Sequence, residues 1–175
     1  MIYDVINLMD NLAKDSLLGL NVQVAAVDAK YTARYPNDDP LTTPLFVRDA
    51  QFHIWDLSQM PGQMILPSFQ VVFEGTPVWK PRSQLKWIAH HTVSWNIWIN
   101  ESRDSASTRR ALLVYMHALG LMAEELPGYT SSGFVNNTIE EYSDPRVHVS
   151  GWQMAGKMYT FMSYTFLVQE KDEEP

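Results

Sequence analysis

An α+β fold, a mainly antiparallel sheet with two principal helices packed against it, is what this 175-residue sequence predicts. Three observations carry that expectation. Residues 87–99 alternate strictly, with Trp87, Ala89, His91, Val93, Trp95, Ile97 and Ile99 on one side and Ile88, His90, Thr92, Ser94, Asn96 and Trp98 on the other, the period of a half-buried strand. Residues 105–126 repeat at 3.6 instead, placing Leu112, Tyr115, Met116, Leu119, Met122, Ala123 and Leu126 along one stripe. Residues 152–169 are rich in Tyr, Phe, Met and Thr and alternate with both faces mostly apolar, as in one or two strands covered on both sides. A helix and a sheet with facing apolar surfaces pack into one layer pair.

The remaining elements follow in chain order. Ile2, Val5, Ile6, Met9, Leu12 and Ala13 share one face of a first helix over about residues 2–17, with Asp4 and Lys14 placed to suit its dipole and Gly19 as a plausible stop. Asn21 to Val27 reads as a short strand, and 28–44 as a long loop carrying Pro36, Pro40, Pro44 and the pair Asp38-Asp39. Leu45 to Trp55 alternates again, with Phe46, Ala50, Phe52 and Ile54 on one side. Pro61-Gly62 marks 58–67 as a turn or loop, Ser68 to Glu74 is a strand, and Gly75 to Gln84, with Pro77 and Pro81, connects it to the strand at 87–99. Asp104 or Ser105 caps the long helix and Pro127-Gly128 ends it. Gly120 inside that helix marks either close backbone approach or tolerance of an unfavourable residue. A second long loop covers 128–147, and the charged stretch 170–175 is expected to be mobile. The whole forms a single domain over 1–175.

Composition narrows the function classes. The chain is 46% hydrophobic with a mean hydropathy of -0.20, enough for a core. Twenty acidic residues against 13 basic give a net charge of -7, with no basic patch of the kind that grips nucleic acid through its phosphates. Without cysteine there are no disulfides and no thiolate metal sites. No apolar run approaches the roughly 20 residues of a membrane span. Asp4 and Asp10 interrupt the apolar positions at the N-terminus and no basic region precedes them, so no signal peptide and no membrane association are expected.

Motifs for chemistry are scarce. Phosphate-binding glycine patterns, HExxH and GxSxG do not occur. His90 and His91 are neighbours in a strand, point to opposite faces and do not share a metal readily; His91 reads as a core-face histidine with a hydrogen-bond partner, and His117 as a solvent-facing residue. The acidic pairs Asp38-Asp39, Glu124-Glu125 and Glu140-Glu141 lack a partner base or nucleophile and read as solvated charge. No cofactor, metal or catalytic residue is predicted. Trp87 and Trp95 belong to the core face, whereas Trp98 falls on the other face as a candidate contact with something outside the subunit. The long loops add Tyr31 and Tyr35 in the first and Tyr129, Phe134 and Tyr142 in the second, aromatics suited to protein–protein contact. Open edges of a small sheet suit the same purpose.

The order of these elements resembles a known family. An N-terminal helix precedes a Leu66-Pro67 strand that ends in Phe73-Glu74-Gly75. The strand His91 to Ile99, a polar break, the helix Ala106 to Leu126 and an aromatic strand Tyr159 to Val168 follow. This pattern is similar to that of the tail terminator proteins of long-tailed bacteriophages, also called tail completion or neck proteins. The resemblance implies a structural virion protein rather than an enzyme. It implies a homo-oligomeric ring, hexameric by preference, assembled in the host cytoplasm at the head-proximal end of the tail. The ring would end polymerisation of the tail tube protein and join the tail to the head–tail connector protein. The tail sheath protein is a further candidate partner, and DNA would pass through the lumen without specific binding. Two other classes compete: a small-ligand or carbohydrate-binding module using exposed aromatics such as Trp98 and Trp152, and an enzyme using His91 with a nearby carboxylate.

Overall fold

A computed structural model of the chain describes residues 2–38, 51–54, 65–83, 86–100, 105–126, 129, 146–154 and 156–173. Three helices and a five-stranded sheet make up an α+β fold. Helix α1 spans Ile2–Lys14, where Lys14 pairs with Asp10 one turn back at 2.9 Å. The Asp15 carboxylate then shapes the chain reversal: its Oδ1 accepts the Leu17 and Leu18 backbone N–H groups at 2.7 and 3.0 Å. Gly19 follows in extended backbone as the N-cap of a second helix, α2 (Leu20–Arg34). A Cβ at Gly19 would overlap the Asp15 carbonyl oxygen and come within 2.8 Å of the Ala13 carbonyl oxygen, so the tight approach of the two helices needs a glycine there.

Helix α2 corrects two expectations. The strand at Asn21 to Val27 is helical, and the loop at 28–44 is helical as far as Arg34; of its remainder, only 35–38 lies within the described residues. Val22 and Val24 alternate as in a strand, but Leu20, Val24 and Val27 are buried at helical spacing. Once the Asp15 turn and Gly19 have set the helix start, burying that stripe outweighs the weak β preference of two valines. Gly19 therefore opens a helix rather than ending one. Helix α3 (Ser105–Glu125) matches its expected bounds closely. Its buried stripe is shifted from the expected one: Ala111, Val114 and Ala118 are buried while Leu112 and Met116 are only partly so, because α2 packs along the helix as well as the sheet.

The strands are β1 (Phe52–Ile54), β2 (Ser68–Ser83), β3 (Lys86–Asn100), β4 (Arg146–Met154) and β5 (Lys157–Glu173), in the sheet order β1-β2-β3-β5-β4. All neighbours are antiparallel except β1 and β2, which are parallel. The Leu66–Pro67 peptide bond before β2 is cis. Strand β2 does not stop at Glu74: the stretch expected to connect it to β3 continues the ladder to Ser83. Pro77, which cannot donate to the ladder, falls inside the register shift between Glu74 and Val78, so an irregularity absorbs the residue that argued against a strand. The aromatic stretch divides into two antiparallel strands, β4 and β5, with Gly156 at φ +75° between the paired Met154 and Lys157. Strand β4 begins at Arg146 inside the expected second loop, and β5 runs through the charged stretch to Glu173, paired with Lys86.

Alternation sorts the central strands into two faces. Phe69, Val71 and Phe73 of β2, Val93, Trp95, Ile97 and Ile99 of β3, and Met162, Tyr164 and Phe166 of β5 form one core cluster with the buried side chains of all three helices. Trp95 lies at its centre, edge-on to Phe166 at 4.7 Å and stacked on Tyr164 at 6.2 Å. The opposite face is buried too, where a half-buried strand was expected. Its side chains are mostly polar: Ser68, Gln70, Ser94, Asn96 and Ser163, with Ser94 Oγ 2.7 Å from Thr165 Oγ1.

Candidate functional site

A concave surface lies between α2 and α3, beside a buried ion pair that joins the two helices. Arg110 of α3 donates through Nη2 and Nε to Asp28 Oδ1 at 2.8 and 3.1 Å, through Nη2 to Thr32 Oγ1 at 2.7 Å, and through Nη1 to the Asp38 carbonyl oxygen at 3.5 Å. The Arg110 side chain is 9% exposed. One guanidinium thus spans α2 and its C-terminal exit, and fixes the distance between the two helices.

Beside this clamp a groove of about 470 Å³ opens between the helices. Helix α2 supplies Lys30, Tyr31, Arg34 and Tyr35; the i, i+4 spacing puts both cations on one face and both tyrosines next to it. The tyrosine rings are 6.2 Å apart, and the Arg34 guanidinium stands 5.6 Å from the Tyr35 ring centre. Helix α3 supplies a floor of Met116, Gly120 and Leu121, flanked by His117 and Glu124. Tyr31 Oη and His117 Nδ1 are 3.4 Å apart, bridging the groove at one point. Nothing lies within 4 Å of a Cβ placed on Gly120. Of the two origins the sequence leaves open for that glycine, close backbone approach is therefore excluded among the described residues. The gap at Gly120 leaves the groove floor open.

The groove's electrostatics are distinctive. Lys30 and Arg34 are exposed and make no ion pair among the described residues, although the chain as a whole carries -7. Among the described residues, Glu124 is the one carboxylate that lines the groove. An apolar floor, two tyrosines and two available cations suit a segment that is anionic and partly apolar. A reacting pair is not evident: His117 faces a tyrosine across the groove, and no group of three His, Asp or Glu among the described residues is placed to hold a metal ion.

The residues singled out from sequence fare differently. Tyr31 and Tyr35 are brought together in the groove, Tyr31 on α2 and Tyr35 at its C-cap, where a long loop was expected. Trp98 lies on the face expected, yet it is only 6% exposed and packs against Phe161 at 4.5 Å, so it offers little surface to a partner within this subunit's fold. Tyr129 packs half-buried on the core and donates its hydroxyl to Asp15 Oδ2 at 3.1 Å, tying the segment after α3 to the turn after α1. Burial, together with the Asp15 charge, pushes the Tyr129 phenol up. Phe134 and Tyr142 lie outside the described residues. His91 is buried in the core with its ring edge-on to Phe73 at 5.9 Å. His117 is exposed, as expected. Lys30, Arg34 and Gly120 had no place among the sequence candidates; the i, i+4 repeat of Lys30/Arg34 and Tyr31/Tyr35 is the signal, and it has meaning only on a helix.

A second polar feature crosses the sheet on the face away from the core cluster. Register aligns Gln70, Asn96, Ser163 and His148 in one row across β2, β3, β5 and β4. Asn96 Oδ1 within that row is buried without a hydrogen-bond partner among the described residues. Among the described residues no helix is long and apolar enough to cross a membrane. No protein-family model matches the chain, and no curated protein matches it.

Proposed function

We propose that this chain is a structural subunit of a phage tail terminator: a homo-oligomeric ring, hexameric by preference, at the head-proximal end of the tail. In that role it ends growth of the tail tube protein, joins the tail to the head–tail connector protein, and lets DNA through its lumen without binding it specifically. The α+β architecture, with a helix before β2 and another between β3 and β4, supports that reading. One structural observation supports it most. Strands β3 and β5 are 15 and 17 residues long, about 50–55 Å at ~3.3 Å per residue, whereas the longest helix, α3, has 21 residues and spans about 32 Å at ~1.5 Å per residue. A subunit that served only its own core would need no more sheet than its helices cover. Strands β2, β3 and β5 stay paired as far as Ser83, Lys86 and Glu173, so the ladder is continuous over that length.

The mechanism is steric. A ring offers one face to the last ring of the tube and a different face to the connector, so no further tube subunit adds. Head-to-tail contacts between identical subunits form a closed ring when the rotation between neighbours closes. Light scattering and negative-stain microscopy of the purified protein, alone and on tube preparations, test this. Rings of about six times the 20.1 kDa chain mass are expected, and tails assembled without the protein should be of uncontrolled length. A monomer that joins neither itself nor tubes sinks the assignment. A ligand-binding module is the second candidate, favoured by the paired tyrosines in the α2–α3 groove; it calls for a lasting monomer that binds a small molecule there.

A further inference from the structure

Resting on the ring assignment, we infer that the α2–α3 groove is the socket for the acidic segment 170–174 of the next copy of this chain. Charge complementarity carries the inference. Among the described residues, the groove combines Lys30 and Arg34, both exposed and without an ion pair, with a single carboxylate, Glu124. The segment has the mirror pattern: four carboxylates, Glu170, Asp172, Glu173 and Glu174, around a single cation, Lys171. Opposite charges on both elements of the pattern fix direction as well as attraction. The apolar floor and the gap over Gly120 take the bulk of an extended chain, and Leu167, exposed just before the segment, supplies an apolar anchor.

The contact is made between copies. Residues 166–173 pair with 86–93 of the same sheet, so the segment is held in its own ladder and cannot fold back over its own helices without unzipping it. Among the described residues, β4 pairs with β5 only as far as Thr165, and 166–173 pairs on its β3 side alone. A groove on one copy that takes the strand end of another gives a heterologous contact, the kind that generates rings.

The test uses the full chain and a fluorescein-labelled peptide of residues 167–175, followed by anisotropy. Saturable binding that weakens with added salt is expected. The double variant Lys30→Glu/Arg34→Glu should lose at least tenfold in affinity. Gly120→Trp should do the same by filling the floor without changing charge, and a peptide with its four acids replaced by amides should not bind. All altered groove positions are at or near the surface, and circular dichroism verifies that the variants fold. Absence of saturable binding, or equal binding by the double variant, overturns the inference. Light scattering separates it from the ring assignment. Rings formed equally well by wild type and double variant overturn the socket and leave the ring standing. A wild type that never assembles, yet binds the peptide through Lys30 and Arg34, supports the socket and removes the ring.

Discussion

Arg110 and Asp28 join α3 to α2 through two hydrogen bonds to a single carboxylate oxygen, at 2.8 and 3.1 Å, in a site where the arginine side chain is 9% exposed and the aspartate 17%. Helix α2 has a weak apolar face of its own, with only Leu20, Val24 and Val27 buried, so this pair and Thr32 contribute much of what sets its position. Arg110→Ala should destabilise the fold by roughly 2–4 kcal/mol, because it leaves the Asp28 charge partly buried without its partner. Urea denaturation measures this. Replacing both residues, Asp28→Leu with Arg110→Met, should cost less than the sum of the single changes.

The two helix glycines should respond oppositely to the same substitution. At Gly19 a methyl group meets the backbone oxygens of Asp15 and Ala13, which cannot move without opening the α1–α2 turn. Gly19→Ala should therefore destabilise by about 1–3 kcal/mol, within the usual range for overpacking. At Gly120 the methyl group meets nothing within 4 Å, and only the helix preference changes. Gly120→Ala should stabilise by about 0.5–1 kcal/mol. Thermal melts of the two variants against wild type decide both signs at once.

Much of this fold is legible in the sequence, and the failures share a cause. The strand at 87–99 and the helix at 105–126 are long and periodic, so local pattern suffices for them. Residues 20–34 are different. Their two valines alternate locally, while the features that make them helical are the Asp15 side-chain turn, the crowded Gly19 and the partner stripe on α3, none of which a short window contains. Residues 75–83 fail for the converse reason: Pro77 and Pro81 are true breakers of a regular ladder, and tertiary pairing tolerates them by shifting register. The groove depends on α2 being a helix, so Lys30, Arg34 and Gly120 could not be recognised as a set before α2 was. Trp98 shows a further limit. Alternation gives the face of a strand but not what covers that face, and the face carrying Trp98 is buried.

Stability should depend on pH at both ends of the scale through the Asp15–Tyr129 pair. Backbone N–H groups of Leu17 and Leu18, with the Tyr129 hydroxyl, hold the Asp15 carboxyl below its ordinary value against a smaller opposing effect of burial. A lowered folded-state value means that this contribution is complete above the unfolded carboxylate range, about 3.9, and is lost as pH falls through the folded value. Tyr129 is shifted upward, first by burial and then by Asp15, so its contribution is complete below about 10 and is lost as pH rises through its raised folded value. Denaturation curves across pH should show Asp15→Asn flattening the acid limb and Tyr129→Phe flattening the alkaline limb. An unchanged acid limb in Asp15→Asn would remove the turn from any role in acid sensitivity.

Trp95 gives the sharpest test of where the core is centred. It is fully buried, with Phe69, Tyr164 and Phe166 around it at 6.2, 6.2 and 4.7 Å between ring centres. Among the described residues its Nε1 has no hydrogen-bond acceptor. The residue therefore acts through shape and apolar area, and removing the indole N–H orphans no acceptor. Trp95→Ala should cost about 3–5 kcal/mol by leaving a cavity that rigid aromatic neighbours cannot close. Trp95→Phe keeps a ring in the same slot and should cost only about 1–2 kcal/mol, mainly from lost volume. If a hidden hydrogen bond held the indole, Phe would be nearly as damaging as Ala. Equal losses in the two variants by urea denaturation would thus count against a purely apolar core, and a clear gap between them would support it.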